Sequence, residues 1–275
     1  MSDGPVSFVG AGPGAPDLLT LRGAQRLGQA DIVVWASSLV PEAVLVHAHP
    51  RARRFDSAVM TLEDVLGLYA ANPSARIVRL HSGDPAVYGA IGEQIDWCEA
   101  NGRPYEIVPG VSSLGAAAAA VGRELTAPGI AQSVVITRLA ARTKDSVPAT
   151  ESIGAYAATG ATLAVFLSAA RPEALAAELL APPSVYTADT PAAIVVRATW
   201  PDEQVIRTSL GHLAEDLAAS GATTTTLVLV GPVLEGPVPR SHLYHPGFAH
   251  GFRRRSAPGS TAGRPASRAR SARAR

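Results

Sequence analysis

The 275-residue sequence holds a single cysteine, Cys98, and only 5% aromatic residues. One cysteine excludes an internal disulfide framework and any cysteine-based zinc cluster, and it suits a reducing compartment. Cys98 itself reads as a small side chain buried on a helix. With so few aromatics, the 47% hydrophobic content must be built from Ala, Val, Leu and Ile, an ordinary α/β composition. No apolar run reaches the length needed to span a bilayer, and Met1–Pro5 lacks the basic-then-apolar order of a signal peptide. The expectation is a soluble, cytoplasmic protein with no membrane partner. Basic charge is also scarce outside the C-terminus. Residues 253–275 hold eight arginines and no acid, which leaves 16 basic against 23 acidic groups in residues 1–252, a net −7. Such a body argues against nucleic acid as the main partner, because phosphate neutralisation needs a basic face.

What is present is a regular alternation. Residues 1–122 read as an N-terminal α/β domain. Its strands are expected at Val6–Gly10, Asp31–Trp35, Arg76–Leu80 and Tyr105–Val108, and its helices near Leu18–Gln29, Thr61–Ala71, Ala86–Ala100 and Val111–Val121. Repeated β-α units imply a largely parallel sheet. A glycine- and proline-punctuated stretch at Gly122–Gly129 opens a second α/β domain over residues 123–238. There Gln132–Arg138, Thr162–Ser168, Ala192–Thr199, Gln204–Thr208 and Thr223–Val230 read as strands. The turn around Pro201-Asp202 makes a hairpin of two of them, so this second sheet is expected to be mixed. Residues 239–275 form a Pro-, Gly- and Arg-rich tail, predicted disordered from about Ser256.

Three glycine-bearing loops follow strands of the first domain. Gly10-Ala11-Gly12-Pro13-Gly14 leads towards a helix, and its glycines permit either a close backbone approach to a ligand or a plain tight turn. A dinucleotide fingerprint would need its third glycine elsewhere, and Pro13 removes a backbone donor. His81-Ser82-Gly83-Asp84-Pro85 follows the third expected strand, and Asp84 before Pro85 suits a helix N-cap with proline in the first turn. Pro109-Gly110-Val111-Ser112-Ser113 follows the fourth. Crevices outside strand C-termini are where open α/β sheets bind ligands, so three such loops on one edge favour a binding cleft.

The order G-A-G-P-G-x-P-D-L-L-T, S-G-D-P-x-x-Y-G and V-P-G-V-S-S resembles the tetrapyrrole (corrin/porphyrin) methyltransferase family over residues 5 to about 235. Within that family, Trp35–Pro41, Leu80–Ala90, Arg123–Thr126, Thr137-Arg138 and Arg197–Asp202 are similar to the branch that methylates a corrin precursor, precorrin-4, at C-11. The resemblance implies the two-domain tetrapyrrole methylase fold, with S-adenosyl-L-methionine in the cleft between the domains. It implies donor contacts from Pro13, Ser82, Gly83, Asp84, Val87, Ser112, Ser113, Leu167 and Ala198, and a homodimer. The uroporphyrinogen branch carries an acid after the second strand, where this chain has Ala36-Ser37-Ser38, and that difference counts against uroporphyrinogen as substrate.

Methyl transfer from a sulfonium asks the protein to position reactants and exclude water, not to supply a triad, and no catalytic side chain is assigned. A tetrapyrrole bearing carboxylates needs cationic partners. Arg79, Arg123, Arg138 and Arg142 are the candidates, with Arg138 and Arg142 foremost because guanidinium binds carboxylate in a bidentate fork. His47 with His49, and the set His242, His245 and His250, lack the acid or cysteine company of a metal site, so no metal is expected. Two other classes are weighed. A nicotinamide-dependent oxidoreductase would need an acid ending the second strand, which instead ends in Trp35-Ala36-Ser37. A non-catalytic binding module would share the lack of acid-base residues, and only a methyl-transfer assay separates it.

Overall fold

The computed structural model describes residues 4–139, 147–245 and 247–254. Two five-stranded sheets follow one another along the chain. The first contains β1 (Val6–Gly10), β2 (Ile32–Trp35), β3 (Arg53–Asp56), β4 (Ile77–His81) and β5 (Tyr105–Val108) in the order β3-β2-β4-β1-β5, and every pairing is parallel. The second contains β6 (Val134–Arg138), β7 (Thr162–Phe166), β8 (Pro191–Val196), β9 (Gln204–Ser209) and β10 (Thr226–Val230) in the order β6-β7-β10-β8-β9. Only β6 and β7 pair in parallel there, so the sheet is mixed as expected. The antiparallel pairing of β8 with β9 matches the hairpin read from Pro201-Asp202. Strand β3 was not anticipated. Its Arg-Arg-Phe-Asp sequence has no apolar alternation because it is a half-exposed edge strand, where charge protects against pairing with other chains.

Parallel strands covered on both faces read as continuous apolar runs, and β1 shows this in five buried residues. Its alternate residues serve two cores. Val9 joins Val33, Val78 and Leu80 under α1 (Leu21–Gln29), whereas Phe8 joins Ile32, Val34 and Ile77 under α2 (Leu62–Ala71) and α3 (Gly92–Ala100). Thr20 caps α1, accepting from the Gly23 N–H at 3.1 Å, and Thr61 with Asp64 forms a reciprocal capping box on α2. Cys98 is buried in α3, as the sequence suggested.

The fourth helix, α4 (Ser113–Val121), follows the first sheet in sequence but packs on β8 and β10 of the second. Its Ala116, Ala117 and Val121 meet Ala164, Val195 and Leu229. The alanine-rich sequence lets the helix lie close against that sheet, and Gly122 ends it in the left-handed region at φ 65°. The opposite face of the second sheet is covered by α5 (Ile153–Ala157), α6 (Pro172–Leu180) and α7 (Leu213–Ala219) around Leu163, Leu175, Leu179 and Leu217.

Candidate active site

The strand order creates a switch point between β1 and β4. From β1 the chain leaves through α1 on one face towards β2; from β4 it leaves through α3 on the other face towards β5. Adjacent strands whose connections part in this way leave a crevice beyond their carboxyl ends, the usual ligand site of an open α/β sheet. The three glycine loops meet there, backbone against backbone. The Gly83 N–H donates to the Gly12 carbonyl at 2.8 Å, and the Gly12 N–H donates back to Gly83 at 3.2 Å. A methyl group on Gly110 would overlap the Gly83 carbonyl, and one on Gly10 would overlap Gly110. These glycines are therefore required first for loop-to-loop packing.

Asp84 completes the floor. One carboxylate oxygen accepts from Gly110 N–H and the other from Ala86 N–H, each at 2.8 Å. It does not cap a helix, contrary to the reading from Asp84-Pro85. Tyr88 and Ala90 adopt φ of 56° and 49°, which breaks the chain before α3 can begin at Gly92. The carboxylate instead fastens the second glycine loop to the third. Ser112 caps α4, accepting from Leu114 N–H at 3.2 Å.

The roof comes from the second sheet. A cleft of about 300 Å³ runs between this floor and the carboxyl end of β7, the segment after β8 and residues 223–227. All nine residues singled out by the resemblance line it: Pro13, Ser82, Gly83, Asp84, Val87, Ser112, Ser113, Leu167 and Ala198. Leu39, Tyr88, Phe166, Ser168 and the run Thr223–Thr226 also line it and were not anticipated. Four threonines before a strand read simply as a strand start, so the sequence offered no separate signal for a hydroxyl-bearing wall. The roof holds strained backbone: Leu167 and Thr225 have φ of 51° and 52°, and Arg197 and Thr199, on either side of Ala198, have 49° and 70°. Non-glycine residues in that region cost about 1–3 kcal/mol each and cluster at ligand sites.

Three contacts tie roof to floor. The Trp200 indole N–H donates to the Pro13 carbonyl at 3.0 Å, the Ala15 N–H donates to the Thr199 hydroxyl oxygen at 2.9 Å, and the Tyr88 and Phe166 rings lie 5.5 Å apart. Gly14 leaves room for the Trp200 ring, which a side chain there would strike. Just below the floor, His81 is buried at the end of β4 beside Phe8. Burial, reinforced by the Arg79 charge, pushes its imidazole down to about 3, so the ring stays neutral, and its Nε2 has no hydrogen-bond partner among the described residues.

The expected cationic residues fare differently. Arg79 is not in the cleft lining; it lies largely buried behind the sheet, donating to the Ser57 hydroxyl at 2.9 Å and the Val34 carbonyl at 3.4 Å. Arg123 donates to the Gly236 carbonyl at 2.8 Å, also outside the lining. Arg138 ends β6, and its charge reaches the hydroxyl of Tyr88 in the cleft wall. Arg142 and the tail from residue 255 lie outside the described residues. His47 Nε2 sits 3.1 Å from the Pro16 carbonyl, and His245 and His250 each accept a backbone N–H through Nδ1. Among the described residues no three His, Cys, Asp or Glu side chains converge as metal ligands, and no helix is long and apolar enough to cross a membrane.

Over residues 5–214 the chain that builds this cleft matches the family model of the Tetrapyrrole (Corrin/Porphyrin) Methylases. The chain belongs to that family. It is 43% identical over 253 residues to a precorrin-4 C(11)-methyltransferase of Sinorhizobium sp, spanning 91% of this chain and 98% of that protein. Among solved structures, a cobalamin biosynthetic enzyme, cobalt precorrin-4 methyltransferase, superimposes with a TM-score of 0.80 at 38% identity, covering 84% of this chain and 96% of that one. The uroporphyrin-III C-methyl transferase of Thermus thermophilus complexed with S-adenyl homocysteine gives a TM-score of 0.69 at 30% identity, covering 84% of this chain and 99% of that one.

Proposed function

We propose that this protein transfers a methyl group from S-adenosylmethionine to C-11 of precorrin-4, or of its cobalt form, to give the precorrin-5 stage of cobalamin biosynthesis. The observation that carries this reading is that the nine residues expected from the family resemblance all line one cleft, in a chain 43% identical to a precorrin-4 C(11)-methyltransferase. The cleft suits the donor in kind. A cavity of about 300 Å³ lies at the lower end of the range for small-molecule sites, and its lining is mainly apolar with a few fixed polar groups. Gly83, at φ 63°, leaves its face of the floor open, since an added Cβ would find nothing nearer than 3.6 Å.

When bound, the donor supplies an electrophilic methyl carbon on a sulfonium sulfur, so the chain needs no nucleophile of its own. Its residues bind, orient and exclude water. Asp84 spends both oxygens on backbone N–H groups and so fixes the floor. Tyr88, Phe166 and Leu167 present apolar surface to the cleft. Arg138, close enough to bias Tyr88, and Arg142 are the proposed partners of substrate carboxylates. The family likeness supports a homodimer, and the single cysteine is in keeping with a cytoplasmic setting. The test is to incubate the purified chain with methyl-labelled donor and, in parallel, precorrin-4, cobalt-precorrin-4 and uroporphyrinogen III. Label on C-11 of either corrin precursor supports the proposal. Label on uroporphyrinogen alone, or none, refutes it.

A further inference from the structure

Ser168 lies two residues beyond the end of β7 and is 2% exposed. Its hydroxyl oxygen has no hydrogen-bond partner among the described residues, yet the residue lines the cleft. Buried side-chain hydroxyls are nearly always paired, because a dry, unpaired hydroxyl costs about as much as a lost hydrogen bond. No described group pairs with the oxygen, so the fold itself makes no visible use of it. The backbone also holds this residue at a cost. Leu167, just before it, sits at φ 51° with its own side chain 66% exposed, and Ser168 is the one carried into the buried wall.

We infer that Ser168 binds the methyl donor, its hydroxyl pairing with a polar atom of the nucleoside half. The inference rests on the reading of the cleft as the donor site. The choice of half follows from charge. Around Ser168 the roof presents Phe166, Leu167, Ala169 and threonine hydroxyls, and among the described residues no charged side chain lines this part of the cleft, which suits the neutral ribose and adenine. The zwitterionic methionyl half is left to the floor, where the negative charge of Asp84 and the start of α4 at Ser112-Ser113 line the cleft.

The test is Ser168→Ala, studied by calorimetry with S-adenosylhomocysteine and with 5′-methylthioadenosine, which lacks the amino-acid half, and by thermal melting of the ligand-free proteins. Removing an unpaired hydroxyl leaves the melting temperature unchanged or higher. Both ligands should weaken by the same factor, roughly threefold to tenfold for one lost hydrogen bond. Equal affinities in the two proteins overturn the inference. So does weakened binding with a lower melting temperature, which would make the hydroxyl structural. A loss confined to S-adenosylhomocysteine also overturns it, since Ser168 would then face the methionyl half. If the parent protein binds neither ligand, the reading of the cleft itself fails, and the inference fails with it.

Discussion

The floor and roof of the cleft solve the same problem by opposite means. On the floor, Gly10, Gly12, Gly83 and Gly110 bring three loops into backbone contact, and the groups facing the cleft are few and fixed. On the roof, Leu167, Thr199 and Thr225 reach a left-handed backbone without glycine, and the wall carries side-chain hydroxyls. At Gly10 and Gly110 the floor has no room for a side chain. A roof built from side chains can vary its hydroxyl and apolar groups one at a time, so substitutions there should tune ligand recognition while those at Gly10 and Gly110 should cost the fold.

The sharpest way to break this contrast is on the floor. Gly110→Ala sets a methyl group into the Gly83 carbonyl and should destabilise the protein by about 3–5 kcal/mol in chemical denaturation. Gly83→Ala meets nothing nearer than 3.6 Å and should cost only about 1–2 kcal/mol, from its φ of 63°. Equal costs would mean that the glycines share a merely conformational role. Below the floor, His81 takes up its proton only near 3 when folded, whereas unfolded histidine does so near 6.5. Between those values the unfolded state holds the extra proton, so stability should fall as pH drops through that window, by up to about 1.4 kcal/mol per pH unit. Above about pH 6.5 the effect vanishes. His81→Gln should flatten the dependence between about pH 4.5 and 6.5, and an unchanged slope would show that the ring is not held neutral.

Two smaller effects probe recognition. Arg138→Ala with Arg142→Ala should raise the Michaelis constant for the tetrapyrrole roughly ten- to a hundredfold while donor binding holds, if the two proposed carboxylate partners are lost. Unaltered tetrapyrrole affinity would put the carboxylates elsewhere. Trp200→Phe keeps most of the wedge against Gly14 but loses the bond to the Pro13 carbonyl, worth about 0.5–1.5 kcal/mol. It should lower the melting temperature slightly and, if the contact also shapes the cleft, weaken S-adenosylhomocysteine binding up to about tenfold. No change in binding would mean that this contact only joins the sheets.

The two sides of the cleft also differed in how far the sequence could be read. The floor was legible because a glycine loop after an apolar run carries a local signal: Gly10–Gly14, Ser82–Asp84 and Pro109–Ser113 each end a strand and share an edge. The β8–β9 hairpin was legible from Pro201-Asp202 for the same reason. The roof was not. Ser168, Phe166 and Thr223–Thr226 become neighbours only when β7 and β10 pair, and a left-handed leucine has no signature in composition. Strand β3 escaped because an edge strand needs no apolar alternation. Arg79 was misjudged because spacing cannot tell which face of a sheet a side chain takes; it shares the buried face of Ile77, not the cleft. Helix α4 looked like part of the first unit, yet its alanines pack on the second sheet.

A crystal structure with S-adenosylhomocysteine shows most directly where the donor binds. The ligand should lie between floor and roof, against the backbone of Gly83 and Ser112, with the Ser168 hydroxyl within hydrogen-bond distance of its ribose or adenine. Ligand bound outside this cleft, with the cleft left vacant, would contradict this placement.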